Sequence, residues 1–153
     1  MAMFTFSYDP LTASLVGLYG GAPNTDRDYA RALGAFETLY REAGSRIAAA
    51  ALVIEPGMSP PSAKWRARFA DLNAIQSRFC LAIVTESAIV RGIITAVHWI
   101  KPPSAGQKVV SLARFDAAVP WLETECGRPL AGMYRMTAQL RLPAAAPMAE
   151  ARG

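Results

Sequence analysis

Two short segments constrain this chain more than any other feature: Ile47–Ile54, and Phe79–Thr85, which is apolar up to its last residue. Neither alternates with polar positions; the alanines of Ile47–Ile54 leave a helix open there, but the length favours a strand. A run of this kind fits a strand covered on both faces, the situation of a central strand in a parallel sheet. The first is bounded by Arg46 and by the turn Glu55-Pro56-Gly57. Each is followed by a turn and then a helical pattern, the alternation that builds parallel sheets with helical crossovers.

The surrounding elements extend this frame. Phe4, Phe6 and Tyr8 alternate with Thr5 and Ser7 as in a half-buried strand, which Asp9-Pro10 ends. Leu11 to Tyr19 reads as a second strand, closed by Gly20-Gly21. Thr25 is placed to cap a helix with Asp26 and Asp28 in its first turn. Tyr29, Leu33, Phe36, Leu39, Tyr40 and Ala43 form its apolar face, and Gly44 stops it. Ser62 is placed to cap a second helix with Trp65, Phe69, Leu72 and Ile75 on one side. Ser87 begins a third pattern, Ala88 to Ile100, ended by Pro102-Pro103. Val109 to Ala113 supplies a further strand, and Asp116 stands where it can cap a helix carrying Val119, Trp121 and Leu122. Pro120 is tolerable there only near the helix start. Arg128 to Leu142 has no clear period and is compatible with helix, strand or a packed arm. The order β-β-α-β-α-β-α-β-α calls for an α/β fold with a single mixed β-sheet, a parallel centre and about four covering helices. Residues 1–142 read as one domain, and the Ala- and Pro-rich 143–153 as a loose tail.

A chain of 153 residues with 52% hydrophobic and 18% charged residues can build a core and is not of the disordered type. The net charge of +4 is far from the concentrated positive stripe of nucleic-acid binders, so no nucleic-acid partner is expected. The N-terminal residues lack the pattern of a signal peptide. The longest apolar stretch, Ala88 to Ile100, is interrupted by Arg91 and His98 and falls short of the roughly 20 residues that span a bilayer. Cys80 lies in an apolar run as a small buried hydrophobe, and Cys126 precedes Gly127 near a helix end. Their spacing implies neither a disulfide framework nor a zinc site, and a reducing cytoplasm is the expected compartment. No cofactor is expected.

Three phrases carry a resemblance. They are Leu15-Val16-Gly17-Leu18-Tyr19-Gly20 leading to Thr25-Asp26; Ala51-Leu52-Val53-Ile54-Glu55 followed by Trp65-Arg66-Ala67-Arg68-Phe69; and Val109 to Leu122 with Arg114-Phe115-Asp116-Ala117-Ala118-Val119-Pro120-Trp121-Leu122. In topology and apolar type, over about residues 3 to 126, the chain resembles the STAS-like family of bacterial proteins related to anti-sigma-factor antagonists. That resemblance implies a non-enzymatic regulatory or protein-interaction module, in which phosphorylation of a serine at a helix start breaks a protein interface. The matching turn holds Ser59 and Ser62, with Glu55 near the place of the family's acid, so the implied role reaches those two serines.

Other candidates follow from the residues themselves. Lys64, Arg66 and Arg68, with Arg78, form a basic group able to meet an acidic partner or an anion, against the simpler reading of a solvated helix face. Glu55 and Glu86 each follow an apolar strand, which places them at the edge where open α/β sheets bind ligands. A small apolar or anionic ligand there is the alternative to a protein partner, and an enzyme with an unrecognised site is the third reading. Gly17, Gly20 and Gly21 match no phosphate-binding fingerprint and read as a strand-end turn. His98 has no nucleophile or orienting acid nearby in sequence and reads as a core or interface histidine. A helix apolar nearly all round, as Ala88 to Ile100 is, must be covered either by the Arg128 to Leu142 arm or by a second copy in a homodimer.

Overall fold

The computed structural model describes residues 4–20, 25–56, 61–76, 78–92 and 104–140. Two strands, β1 (Phe4–Asp9) and β2 (Ser14–Tyr19), lead into α1 (Asp26–Ala43), followed by β3 (Ala48–Ile54), α2 (Ala63–Ile75) and β4 (Phe79–Val84). Residues 88–92 are helical (α3). Then come β5 (Gln107–Leu112), a single 3-10 turn Phe115–Ala117, α4 (Ala118–Cys126) and α5 (Gly132–Gln139). The strands form one sheet in the order β1-β2-β3-β4-β5. The first pair is antiparallel, and the pairs from β2 to β5 are parallel. The two apolar runs lie side by side, with Leu52 opposite Ile83 and Val53 opposite Val84.

Strand alternation divides the core in two. Leu15, Tyr19, Ala48, Ala50 and Phe79 face one way with Phe4, beneath α1 and the Trp65 and Leu72 side of α2. Val16, Ala49, Ala51, Cys80, Ala82 and Val84 face the other way, beneath Phe115, α4, Leu130 and the Met133–Met136 side of α5. The alanines of β3 let helices approach closely on both sides, while Phe4, Tyr19, Tyr29 and Trp65 fill the first layer through a chain of ring contacts. Gly17 belongs to that layer because nothing larger fits. A Cβ there would sit 3.0 Å from Cε1 of Phe4 and 3.2 Å from Cδ1 of Leu52.

Helix starts follow the sequence with instructive exceptions. Thr25 caps α1 through a capping box: its hydroxyl accepts from the Asp28 N–H while the Asp28 carboxylate accepts from the Thr25 N–H at 2.9 Å. Asp28, buried, also accepts from the N–H of Phe4, which ties α1 to β1. Asp116 is not a cap. It lies inside the 3-10 turn, and α4 begins after Ala117 with Pro120 in its first turn. The second strand begins at Ser14, because residues 10–13 form a turn in which Asp9 accepts from the Leu11 N–H and the Thr12 hydroxyl. Ile75 is 72% exposed, since α2 turns that position away from the core that holds Trp65 and Leu72. Residues 132–139 of the ambiguous arm are helical, and α5 packs on β1 and β2.

Two arginines close the end of the sheet opposite the strand C-termini. Arg46 donates to the carbonyls of Pro10, Leu11, Glu42 and Ala43. Arg128 donates through Nη2 to Thr12 O at 2.6 Å and Ile47 O at 2.7 Å. Together they clasp the β1–β2 turn from two directions. That turn contains Ala13, which is buried with φ 49°. The expected tail, Ser59, His98 and the part of the Ala88–Ile100 pattern beyond residue 92 lie outside the described residues.

Candidate functional site

Parallel strands deliver their C-terminal ends to one edge, and four loop segments meet the sheet there. Glu55 follows β3, Thr85-Glu86-Ser87 follow β4, and Ala113-Arg114 follow β5; Thr25 and Ser62 stand at the starts of α1 and α2. Glu55 and Glu86 thus follow adjacent strands at the same edge, as their positions in the sequence require. Glu55 is half-buried and Glu86 exposed, and the Glu55 N–H donates to Tyr19 O at 3.1 Å, extending the β2–β3 ladder.

The segment after β4 is held by a run of hydrogen bonds. Thr85 is buried; its N–H donates to Leu112 O, and its hydroxyl accepts from the Ser87 N–H. Ser87 in turn caps α3 by accepting from the Val90 N–H at 3.2 Å, and Arg91 reaches back to Thr85 O at 2.8 Å. Beyond β5, Arg114 grips Asp116 with two bonds, Nε to Oδ1 at 3.1 Å and Nη2 to Oδ2 at 2.9 Å. The guanidinium holds that carboxyl below its usual range.

The turn into α2 carries a residue able to cap the helix, yet lacks the side-chain cap seen at α1 and α3. Ser62 occupies the cap position with extended backbone, exposed to solvent, yet its hydroxyl makes no capping bond. Thr25 and Ser87 both do. The Ser62 carbonyl accepts from the Arg66 N–H.

Of the four cations grouped by sequence, Arg78 lies outside α2 directly before β4, and the other three do not form a single basic face. Lys64 lies 5.3 Å from the Trp65 ring centre and 3.9 Å from Asp26 Oδ2. Arg68 stacks on the same ring at 4.9 Å. Arg66 turns back to Pro61 O at 2.6 Å, on the approach to Ser62. Trp65 itself is a structural anchor, buried and donating from Nε1 to Asp26 Oδ1 at 2.8 Å, so it joins α2 to the start of α1. Its helical spacing marks it as a core residue; no spacing could reveal the bond to Asp26, a partner on another helix.

Chemically the edge is a rim of hydroxyls, carboxylates and guanidinium groups. Among the described residues no group of three His, Cys, Asp or Glu side chains is placed to hold a metal ion, and no helix is long and apolar enough to cross a membrane. Sequence reasoning missed Arg91, Arg114 and the buried Thr85. The pair Arg114-x-Asp116 was the readable signal among them, because two residues of opposite charge just beyond a strand end can close a local turn. Comparison with protein-family models, with curated proteins and with solved structures found no match.

Proposed function

We propose that this chain is a non-enzymatic, STAS-like protein-interaction module whose regulated contact is the turn entering α2. The observation that carries this reading is the Ser62 hydroxyl, exposed at a helix start and unused by the helix it begins. A phosphate on that oxygen would meet the first-turn N–H groups of α2, with Lys64 and Arg66 close by in the same turn. It would add nearly two negative charges to a surface where Lys64 and Arg68 are now held against Trp65. An antiparallel strand followed by four parallel strands in sequence order supports the family reading.

The test compares the wild-type chain with Ser62→Ala and Ser62→Glu as bait in lysate of its source organism, after circular dichroism has shown that each variant folds. Expected is a specific protein retained by wild type and Ser62→Ala, and weakened at least about tenfold by Ser62→Glu. Identical retention by all three baits refutes the switch. A small molecule that co-purifies with the chain in native mass spectrometry, with no protein retained, replaces the module reading with that of a ligand binder.

A further inference from the structure

Cys80 and Cys126 come from distant parts of the chain and meet on one face of the sheet. Cys80 is the second residue of β4, 2% exposed, in the core cluster beneath α4. Cys126 is the last residue of α4, half-buried and packed against the same cluster. An interaction between the two thiols links their protonation. It raises the Cys80 thiol and lowers that of Cys126, which the nearby Arg128 lowers further. The surroundings are charged as well as close. Lys108 is the register partner of Cys80 on β5, and its ammonium bridges to Glu125 Oε1 at 3.0 Å, so β5 and the end of α4 are tied together beside the pair.

We infer that Cys80 and Cys126 form a reversible disulfide in response to a hydroperoxide, with Cys126 reacting first and Cys80 resolving it. Cys126 is half-buried and Cys80 only 2% exposed, so Cys126 is the more accessible of the two to an oxidant. In the first step the Cys126 thiolate attacks one peroxide oxygen. The O–O bond breaks, Cys126 becomes a sulfenic acid, and the departing hydroxide takes up a proton as water. In the second step Cys80 loses its proton and its sulfur attacks the Cys126 sulfur. The S–O bond breaks and a second water leaves. Two thiols lose two electrons, and one hydrogen peroxide becomes two waters. The bond would pin the C-terminal end of α4 to β4, and a dithiol reductant would release it.

The reduced full-length chain is treated with hydrogen peroxide, quenched by alkylation and read by intact mass and peptide mapping. Expected for wild type is a loss of two hydrogens, a linked Cys80–Cys126 peptide pair and restoration by dithiothreitol. Cys80→Ser should accumulate a sulfenic acid on Cys126 that a cyclic 1,3-diketone traps. Cys126→Ser should react at least about tenfold more slowly than wild type. Two alkylatable thiols remaining in oxidised wild type, or sulfinic acid in place of the disulfide, overturns the inference. The wild-type mapping decides it even where a serine variant fails to fold.

Discussion

Replacing Arg128 with Ala tests how the β1–β2 turn is held. Its guanidinium supplies two short bonds, 2.6 Å to Thr12 O and 2.7 Å to Ile47 O, and a marginal third at 3.5 Å to Ala13 O. Hydrogen bonds from a charged donor contribute about 1.5–3 kcal/mol each, and Arg128 is half-buried, so the lower half of that range applies. Two such bonds give a loss of about 3 kcal/mol, part of it the cost of carbonyls left without a donor. With a urea m-value of about 2 kcal/mol per molar, the unfolding midpoint should fall by roughly 1.5 M at constant slope. Arg128→Lys should fall between the two, because one ammonium cannot span both carbonyls in the manner of a planar fork. Arg46→Ala is the control. Its bonds run from 3.0 to 3.3 Å at an exposed site, and its loss should cost about 1 kcal/mol. A midpoint for Arg128→Ala within about 0.3 M of wild type would show that the clasp carries no stability and refute the reasoning.

Gly17→Ala should destabilise by about 1–2 kcal/mol, because the Phe4 ring that the new methyl meets is fully buried against Tyr19 and has nowhere to go. In a double-mutant cycle Phe4→Leu should relieve part of that loss, and strict additivity of the two changes would contradict it. Burial raises the Tyr40 and Tyr19 hydroxyls above their usual range, and burial with the Glu42 hydrogen bond takes Tyr8 to about 12. Above about pH 10 the unfolded chain therefore releases protons that the folded one keeps, and stability must fall as pH rises. Urea midpoints taken through this window should decline less steeply for Tyr40→Phe, by up to about 1.4 kcal/mol per pH unit; parallel declines would show that Tyr40 contributes nothing to it.

The frame of the fold was legible because it rests on local signals. The uninterrupted apolar strands, the Thr25 cap and the 3.6-residue face of α1 each lie within one stretch of chain, and the sheet assembles them in sequence order. What escaped depends on contacts between distant residues or on faces that mix residue types. The buried side of α5 is Met133, Met136 and Thr137, and the Thr137 hydroxyl is satisfied by Met133 O, so a polar residue occupies a core position and blurs the period. The Arg128 clasp joins positions separated by 116 residues, which no spacing rule reaches. The same holds for the meeting of Cys80 with Cys126. At the candidate site, the position of Ser62 was readable and the idleness of its hydroxyl was not. The common edge of Glu55 and Glu86 followed directly from the parallel arrangement of their strands.

A sheet ordered as the chain is ordered has a consequence for synthesis on the ribosome. No strand must be inserted between two others; each emerging β-strand and helix can add to the growing margin of what has already formed. The two layers nevertheless mature at different times. Helices α1 and α2 arrive between strands and shield one side as it grows, whereas Val16, Ala49, Ala51, Cys80 and Ala82 wait for residues 115–139. Nascent chains that pause before that point would present a wide oily surface, and this is the stage at which a holding chaperone should matter most.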